Sequence, residues 1–315
     1  MKKILVTGGC GYKGSILIPK LLDKGYFVVC LDAQWFGSYL EKSPNLDIIK
    51  SDIRNIDSLS LKDIDSIIHL ANVANDPAVE LNPTMSWEVN VLAGQQLIDK
   101  AVRNNVKHFI FASSGSVYGI KSEDRVIEDL SLVPISTYNK TKMVAERVFM
   151  SYSDKLKVHC IRPATVCGLS PRMRLDVAVN LLTFQALSRN QITVLGGSQV
   201  RPNIHIDDIT DLYLHLLSNM DKIPSGFYNA GFENISIIDI AEMIKIKTDC
   251  EINIEKSNDP RSYRQDSSKI LDTGFVPKKK VANAIDEIID AYSNKILKDT
   301  AQSHTVDWMK KNNIK

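Results

Sequence analysis

Ile4-Leu5-Val6-Thr7-Gly8-Gly9-Cys10-Gly11-Tyr12-Lys13-Gly14 sets a glycine-rich turn between a short apolar run and a segment, Ile16-Leu17-Ile18 with Leu21-Leu22, whose apolar residues recur at helical spacing. A buried strand that turns through glycines into a helix brings its backbone close to a pyrophosphate, and the helix's first amides and dipole favour that charge. Gly8, Gly11, Tyr12, Lys13 and Gly14 are the cofactor-binding candidates of this loop. Alone, the spacing is equally compatible with a purely structural turn. A second apolar run, Tyr26 to Leu31, ends at Asp32, close to the interval of about 20 residues at which a carboxylate accepts both ribose hydroxyls of an adenosine. The same charge repels a 2′-phosphate, so the pattern points to NAD rather than NADP.

The 315 residues carry 39 basic and 37 acidic side chains, a net charge of +2. Such a balance gives no broad field for nucleic acid or an anionic membrane surface, and neither partner is expected. Cys10, Cys30, Cys160, Cys167 and Cys250 are scattered and lack paired metal spacing. They read as reduced thiols, Cys10 and Cys167 as small buried side chains near the cofactor region. His69 and His205 read as core histidines, with no residues spaced to complete a metal site. Lys2-Lys3 before an apolar run has a faint look of a leader, but the glycines stop that run, and no stretch of about 18 apolar residues occurs. The expectation is a cytoplasmic protein without a membrane segment.

Short apolar runs at Ile4–Val6, Phe27–Leu31, Leu46–Ile49, Ser66–Leu70, Phe109–Ala112 and Val158–Ile161 alternate with helical patterns. This predicts an α/β fold: a doubly wound parallel sheet of Rossmann type. Pro19 falls inside the first helical pattern, where the missing amide has no evident compensation. After Pro163 the rhythm changes to Pro-, Gly- and Arg-punctuated segments, with helices expected near Val177–Arg189, Asp207–Asn219 and Ser236–Lys245. The division expected is a cofactor domain at 1–165 and a smaller, mainly substrate-binding α/β domain at 166–315, interleaved with the first around a shared cleft.

Tyr138 and Lys142 stand four residues apart in Tyr138-Asn139-Lys140-Thr141-Lys142, a spacing that puts both on one face of a helix. A phenol titrates near 10 in water, so it serves as a base near neutrality only when a neighbouring cation stabilises its anion. Lys142 is placed to supply that charge.

With these residues in view, the chain resembles the extended short-chain dehydrogenase/reductases, specifically the nucleotide-sugar epimerase/dehydratase family that includes UDP-galactose 4-epimerase. The resemblance spans nearly the whole length. It rests on Thr7-Gly8-Gly9-Cys10-Gly11-Tyr12-Lys13-Gly14, Asp52-Ile53-Arg54, His69-Leu70-Ala71-Asn72, Ser113-Ser114-Gly115-Ser116-Val117-Tyr118-Gly119, Tyr138 with Lys142, and Arg162-Pro163. It implies Asp52 and Ile53 at the adenine, Leu70, Ala71 and Asn72 at the cofactor, and the backbone after Pro163 near the nicotinamide. It implies that Ser114 completes the catalytic set with Tyr138 and Lys142. Tyr138 as phenolate would then take a sugar hydroxyl proton while the same carbon gives a hydride to NAD⁺, with Ser114 bonded to the developing carbonyl.

The departures narrow the reaction. In the family's 4,6-dehydratases an Asp-Glu pair follows the Ser114 position, whereas this chain has Gly115 and Ser116, which argues against dehydration. Substrate contacts implied by the resemblance are Asn180 and the diphosphate-binding Arg201 and Arg261, each arginine offering a planar donor fork; a solvated surface charge is the alternative for both. Ser116 and Thr165 join this set, Thr165 standing where the family often has asparagine. Ser170-Pro171-Arg172-Met173-Arg174 is unusual for enzymes of UDP-sugars, and Arg172 or Arg174 is assigned to an anionic or highly polar sugar, with a solvent-facing loop as the alternative. Lys13 replaces a usually apolar residue and is expected to reach out to water.

These residues describe an NAD-dependent epimerase acting on a nucleoside-diphosphate sugar. An NAD(P)H-dependent ketoreductase or dehydrogenase on the same substrate class is the alternative, and a non-catalytic dinucleotide-binding regulator a remote one. The resemblance also implies a homodimer that pairs the helix around Trp87–Arg103 with the one beginning near Tyr138, stacking Val144, Ala145 and Val148 on their symmetry mates.

Overall fold

Ile4 and Val6 point to one face of the first strand and Leu5 to the other, and both faces are buried against helices, as a parallel sheet requires. The structure is a computed structural model that describes residues 1–256 and 262–314. Its strands are β1 (Lys3–Thr7), β2 (Phe27–Asp32), β3 (Leu46–Lys50), β4 (Ser66–His69), β5 (His108–Ala112), β6 (Lys157–Pro163), β7 (Thr165–Cys167), β8 (Gln191–Leu195), β9 (Val200–His205), β10 (Gly226–Ala230), β11 (Glu233–Ser236) and β12 (Glu251–Glu255). The helices are α1 (Gly14–Asp23), α2 (Asp76–Val79), α3 (Pro83–Trp87), α4 (Ala93–Arg103), α5 (Thr137–Met150), α6 (Ala178–Arg189), α7 (Ile206–Ser218), α8 (Ile237–Thr248), α9 (Ser268–Leu271), α10 (Val281–Ser293) and α11 (Thr305–Lys311).

The main sheet has the order β10-β6-β5-β4-β1-β2-β3 and is parallel throughout. The order reverses between β1 and β4, and the crevice beyond the carboxyl ends of strands at such a switch point is where open α/β sheets bind ligands. On one face α1 and α7 bury Leu17, Leu21, Ile209 and Leu212 against Val6, Val28 and Ile161. On the other, α4 and α5 bury Leu97, Ile98, Ala145 and Phe149 against Leu5, Phe109 and Val158. Each fully buried aliphatic of this kind stabilises the fold by about 1.5–3 kcal/mol.

A smaller lobe is built from α6, α8 and α10 over Ile192 and Val194 of β8. Two short sheets, β11-β9-β7 and β12-β8, accompany it. The chain returns to the main sheet for β10, which pairs with β6.

Two expectations need amending. β3 is the outer strand, and Ile48 and Ile49 are each 37% exposed, with Asp47 and Lys50 supplying the charges that blunt an open edge. Pro19 lies within α1 on its exposed side, and the helix continues through it to Asp23.

Candidate active site

Gly8 lies at φ +71°, and a Cβ there would meet the backbone nitrogen of Ala71 at 2.6 Å. A Cβ on Gly14 would collide with the backbone of Gly9. The two glycines let the loop after β1 press against the end of β4 and turn tightly into α1. The resulting cleft, about 510 Å³, is lined by Gly8, Cys10, Gly11, Tyr12, Lys13 and Gly14 from the loop, Asp32, Asp52 and Ile53, Leu70, Ala71 and Asn72, Ser114, Ser116 and Tyr138, and Pro163 and Thr165. Apart from Lys142, which is buried beside Tyr138, the sequence candidates for cofactor and chemistry therefore line one cleft.

Asp32 ends β2 and accepts hydrogen bonds from the Cys10 amide at 2.9 Å and the Gln34 amide at 2.6 Å. Burial raises its carboxyl above the usual range, and those two amides oppose the rise. An acceptor-rich group held at the end of β2, beside a turn with no room for side chains, fits the adenosine and pyrophosphate of NAD. Asp52 caps the helical turn Ile53–Ser58 through the Arg54 amide and pairs with the Arg54 guanidinium at 2.9 Å.

Tyr138 and Lys142 occupy consecutive turns of α5, which is capped by Ser136. The Lys142 ammonium lies 5.8 Å from the centre of the Tyr138 ring and 4.7 Å from that of Phe111, and donates to the Ala112 carbonyl at 2.7 Å. Burial, reinforced by Lys13, holds Lys142 well below the ordinary lysine range, with Glu146 acting against them. Burial pushes the Tyr138 phenol up to about 12, while a hydrogen bond from Ser114 and the charge of Arg174 pull it down. Ser114 touches the Ser116 hydroxyl at 2.7 Å. A phenol so placed can exchange a proton with a substrate hydroxyl, and a buried lysine beside it can carry the compensating charge.

The arginines of Arg172-Met173-Arg174 both line the cleft and divide its length. Arg172 is buried, stacks over the Phe36 ring at 4.0 Å, donates to Thr305 at 3.2 Å and contributes its charge to Asp32. It therefore lies at the Asp32 end of the cleft, whereas Arg174 lies toward Tyr138. Arg174 donates to both oxygens of Asp176, at 2.9 and 3.2 Å, and its charge reaches Lys13, Tyr12 and Tyr138. Lys13 turns into the cleft rather than out to water, and burial and Arg174 lower its ammonium to about 8.

Other expected contacts sit elsewhere. Asn180 is fully buried beneath the loop, accepting from the Gly168 amide at 3.0 Å and donating to the Tyr12 hydroxyl at 3.0 Å and the Arg174 carbonyl at 3.0 Å. It braces the wall without lining it. Arg201, opposite Ile235 on β9, is outside the cleft lining, and Arg261 lies outside the described residues. Ala145 is fully buried in this chain's own core and is unavailable to a symmetry mate, whereas Trp87 and Leu92 are exposed. His205, Asp207 and Glu287 converge, but Lys20 and Lys279 already match those carboxylates at 3.0 Å and 2.5–2.7 Å.

The sequence reading missed Trp35, Phe36, Asp76, Asp176 and Thr305, all of which line the cleft. The aromatic pair three and four residues after Asp32 was a readable signal. Thr305 was not, because α11 reaches the cleft only through tertiary packing, with Trp308 donating to the Trp35 carbonyl at 2.6 Å.

A doubly wound sheet with a glycine turn, a carboxylate at the end of β2, and a serine and tyrosine facing one cleft with a lysine buried beside the tyrosine defines an NAD-dependent enzyme of the extended short-chain dehydrogenase/reductase type. The chain belongs to the NAD dependent epimerase/dehydratase family, whose profile it matches over residues 4–231. It is 28% identical to a UDP-glucose 4-epimerase of Lactobacillus helveticus, covering 91% of this chain and 94% of the relative. It is 27% identical to UDP-glucuronic acid decarboxylase 1 of Arabidopsis thaliana, over 94% of this chain and 71% of that protein. The UDP-glucuronic acid 4-epimerase of Bacillus cereus, solved with UDP-glucuronic acid and NAD, superposes with a TM-score of 0.81 at 28% identity, covering 93% of this chain and 99% of that one. Among the described residues no helix is long and apolar enough to cross a membrane.

Proposed function

We propose that this enzyme is a nucleotide-sugar epimerase whose sugar is anionic or strongly polar. The observation that carries this reading is the shared cleft, in which Tyr138 and Ser114 face the same space as Asp32, the glycine loop and Arg174, with Lys142 buried beside the Tyr138 ring. NAD, when bound, supplies a reversible hydride acceptor at the sugar carbon. Tyr138 takes the hydroxyl proton and later returns it, Lys142 balances the phenolate, and Ser114 donates to the oxygen that becomes a carbonyl. Arg174, paired sideways with Asp176, presents its remaining donors to the sugar.

Packing at Gly115 supports reading the site as one without a dehydratase acid. A Cβ there would meet the Tyr263 hydroxyl at 3.1 Å, the Gln265 amide nitrogen at 3.2 Å and the Pro163 carbonyl at 3.3 Å, which leaves little room for an aspartate. The reductase alternative uses the same three catalytic residues and differs in consuming NADH.

The test is chromatography and mass spectrometry of UDP-, GDP-, CDP- and dTDP-sugars, including uronic acids and 4-keto forms, incubated with enzyme and NAD⁺ or NADH. An isomer of unchanged mass without net NADH change is expected. A gain or loss of two hydrogens with matching cofactor turnover would replace the epimerase by the reductase or dehydrogenase, and loss of carbon dioxide would make the enzyme a decarboxylase. Tyr138→Phe should lower kcat by about 10²–10⁴.

A further inference from the structure

A directional run of hydrogen bonds leads from a carboxylate to Ser114, the hydroxyl that acts on the reactive phenol. Asp76, the first residue of α2, accepts from the Ser136 hydroxyl and, at 3.4 Å, from the Asn139 side-chain amide. That amide nitrogen also donates to the Ser116 hydroxyl at 2.8 Å. Ser116 and Ser114 share a hydrogen bond of 2.7 Å, and the Ser116 backbone amide donates to the Ser114 oxygen at 3.2 Å. Ser114 in turn lowers the Tyr138 phenol against its burial.

Donor and acceptor counting fixes the polarity. A carboxylate only accepts, so the nitrogen side of Asn139 must face Asp76, and Ser116 must accept from that nitrogen. A phenolate also only accepts, so until a sugar oxygen takes it the single Ser114 proton goes to Tyr138, and the Ser114–Ser116 bond must then be donated by Ser116. Every proton in the run has a taker in this arrangement. The opposite arrangement, with neutral Tyr138 donating to Ser114 and Ser114 to Ser116, leaves the Ser116 proton without a partner inside the run.

Resting on the epimerase or oxidoreductase reading of the same site, we propose that Ser116 and Asn139, anchored by Asp76, are positioning residues that aim the Ser114 proton at the Tyr138 oxygen and so favour its phenolate form. The anchor has an electrostatic cost, because the Asp76 charge acts on Tyr138 in the unfavourable direction. Arg174 opposes it, Lys142 stands 5.8 Å from the ring centre, and the buried phenol of Tyr213 is a further titratable neighbour. Relaying the carboxylate's influence through an amide and two hydroxyls keeps the orientation it imposes while holding its charge away from the reacting oxygen.

The readout is carbon-13 NMR of protein labelled at the tyrosine Cζ and loaded with NAD⁺, the Tyr138 resonance being assigned by its loss in Tyr138→Phe. Ser116→Ala, a change on the half-buried cleft wall, should raise the Tyr138 titration midpoint by about one pH unit, the worth of one hydrogen bond to an anion. Ser116→Thr, which keeps the hydroxyl, should restore it, and Asn139→Leu should reproduce the shift. On a substrate identified by the panel, Ser116→Ala should lower kcat roughly 10-fold, less than removal of a direct donor, with KM within about 2-fold. An unchanged midpoint in Ser116→Ala would overturn the proposal. The titration needs no sugar, so a failure of the epimerase reading would leave it interpretable.

Discussion

Two arginine–carboxylate pairs flank the reactive tyrosine, alike in geometry and opposite in surroundings. Arg162 on β6 donates to both oxygens of Glu146 on α5, at 3.0 and 2.9 Å, and the two side chains are 1% and 0% exposed. Arg174 makes the same two-pronged contact to Asp176, but with 16% and 19% exposure on the cleft wall. Arg162 is further fixed by the Tyr118 hydroxyl at 2.8 Å and the Glu128 carbonyl at 3.2 Å, and by stacking on Tyr118 and Phe227. Arg174 leans on a residue two positions along its own segment. The sealed pair ties the helix that carries Tyr138 and Lys142 to the sheet. The cleft-wall pair is local and keeps donors for a ligand.

The largest effect expected from this contrast is on stability. Glu146→Ala leaves a buried guanidinium without its carboxylate and should destabilise the fold by about 3–5 kcal/mol, read as a lowered midpoint in urea with an unchanged slope. Arg174→Ala, at the accessible pair, should cost less than about 1 kcal/mol of stability. It should instead raise KM for the sugar nucleotide by roughly 10- to 100-fold, the worth of a charged hydrogen bond of about 1.5–3 kcal/mol. Comparable stability losses in the two variants would break the contrast and make the Arg174 pair architectural as well.

The same contrast explains how much the sequence disclosed. The glycine loop, Asp32 and the Tyr138–Lys142 pair were legible because each is a local pattern: a turn, a strand end and a helical repeat carry their geometry within a few residues. Arg162 was legible as part of a motif, yet its work beneath α5 depends on Glu146 and Tyr118, distant in the chain and joined by packing. Arg172 and Arg174, separated by one residue, could not be told apart by sequence, because their assignment depends on Phe36 and Thr305 at one end of the cleft and on Asp176 and Tyr138 at the other. Asn180 shows the reverse failure: the residue type suited a ligand contact, but its position beneath Tyr12 and Gly168 consumes its polar atoms.

The smallest effect sharpens the contrast most finely, because Lys13 is a cation of this cleft that has no carboxylate of its own. Among the described residues its ammonium makes no hydrogen bond or ion pair, and burial and the charge of Arg174 hold it near 8. A group depressed in the free protein is protonated below that value and loses its charge above it. Binding a pyrophosphate stabilises the protonated form, so affinity for NAD⁺ should be highest below pH 8 and fall as the pH rises through it. With one exposed-to-buried charge contact at stake, the fall should be about 3- to 10-fold, or roughly 0.7–1.4 kcal/mol. Isothermal titration calorimetry across that range should show the slope in the wild type and a flat, weaker profile in Lys13→Met. Cys10 also lines the cleft, and hydrogen bonding by Cys30 lowers its thiol, so Cys10→Ala is the control that must retain the slope. If Lys13→Met keeps the full pH dependence, the lysine is only a spacer at an apolar position and Arg174 carries the charge of this end alone.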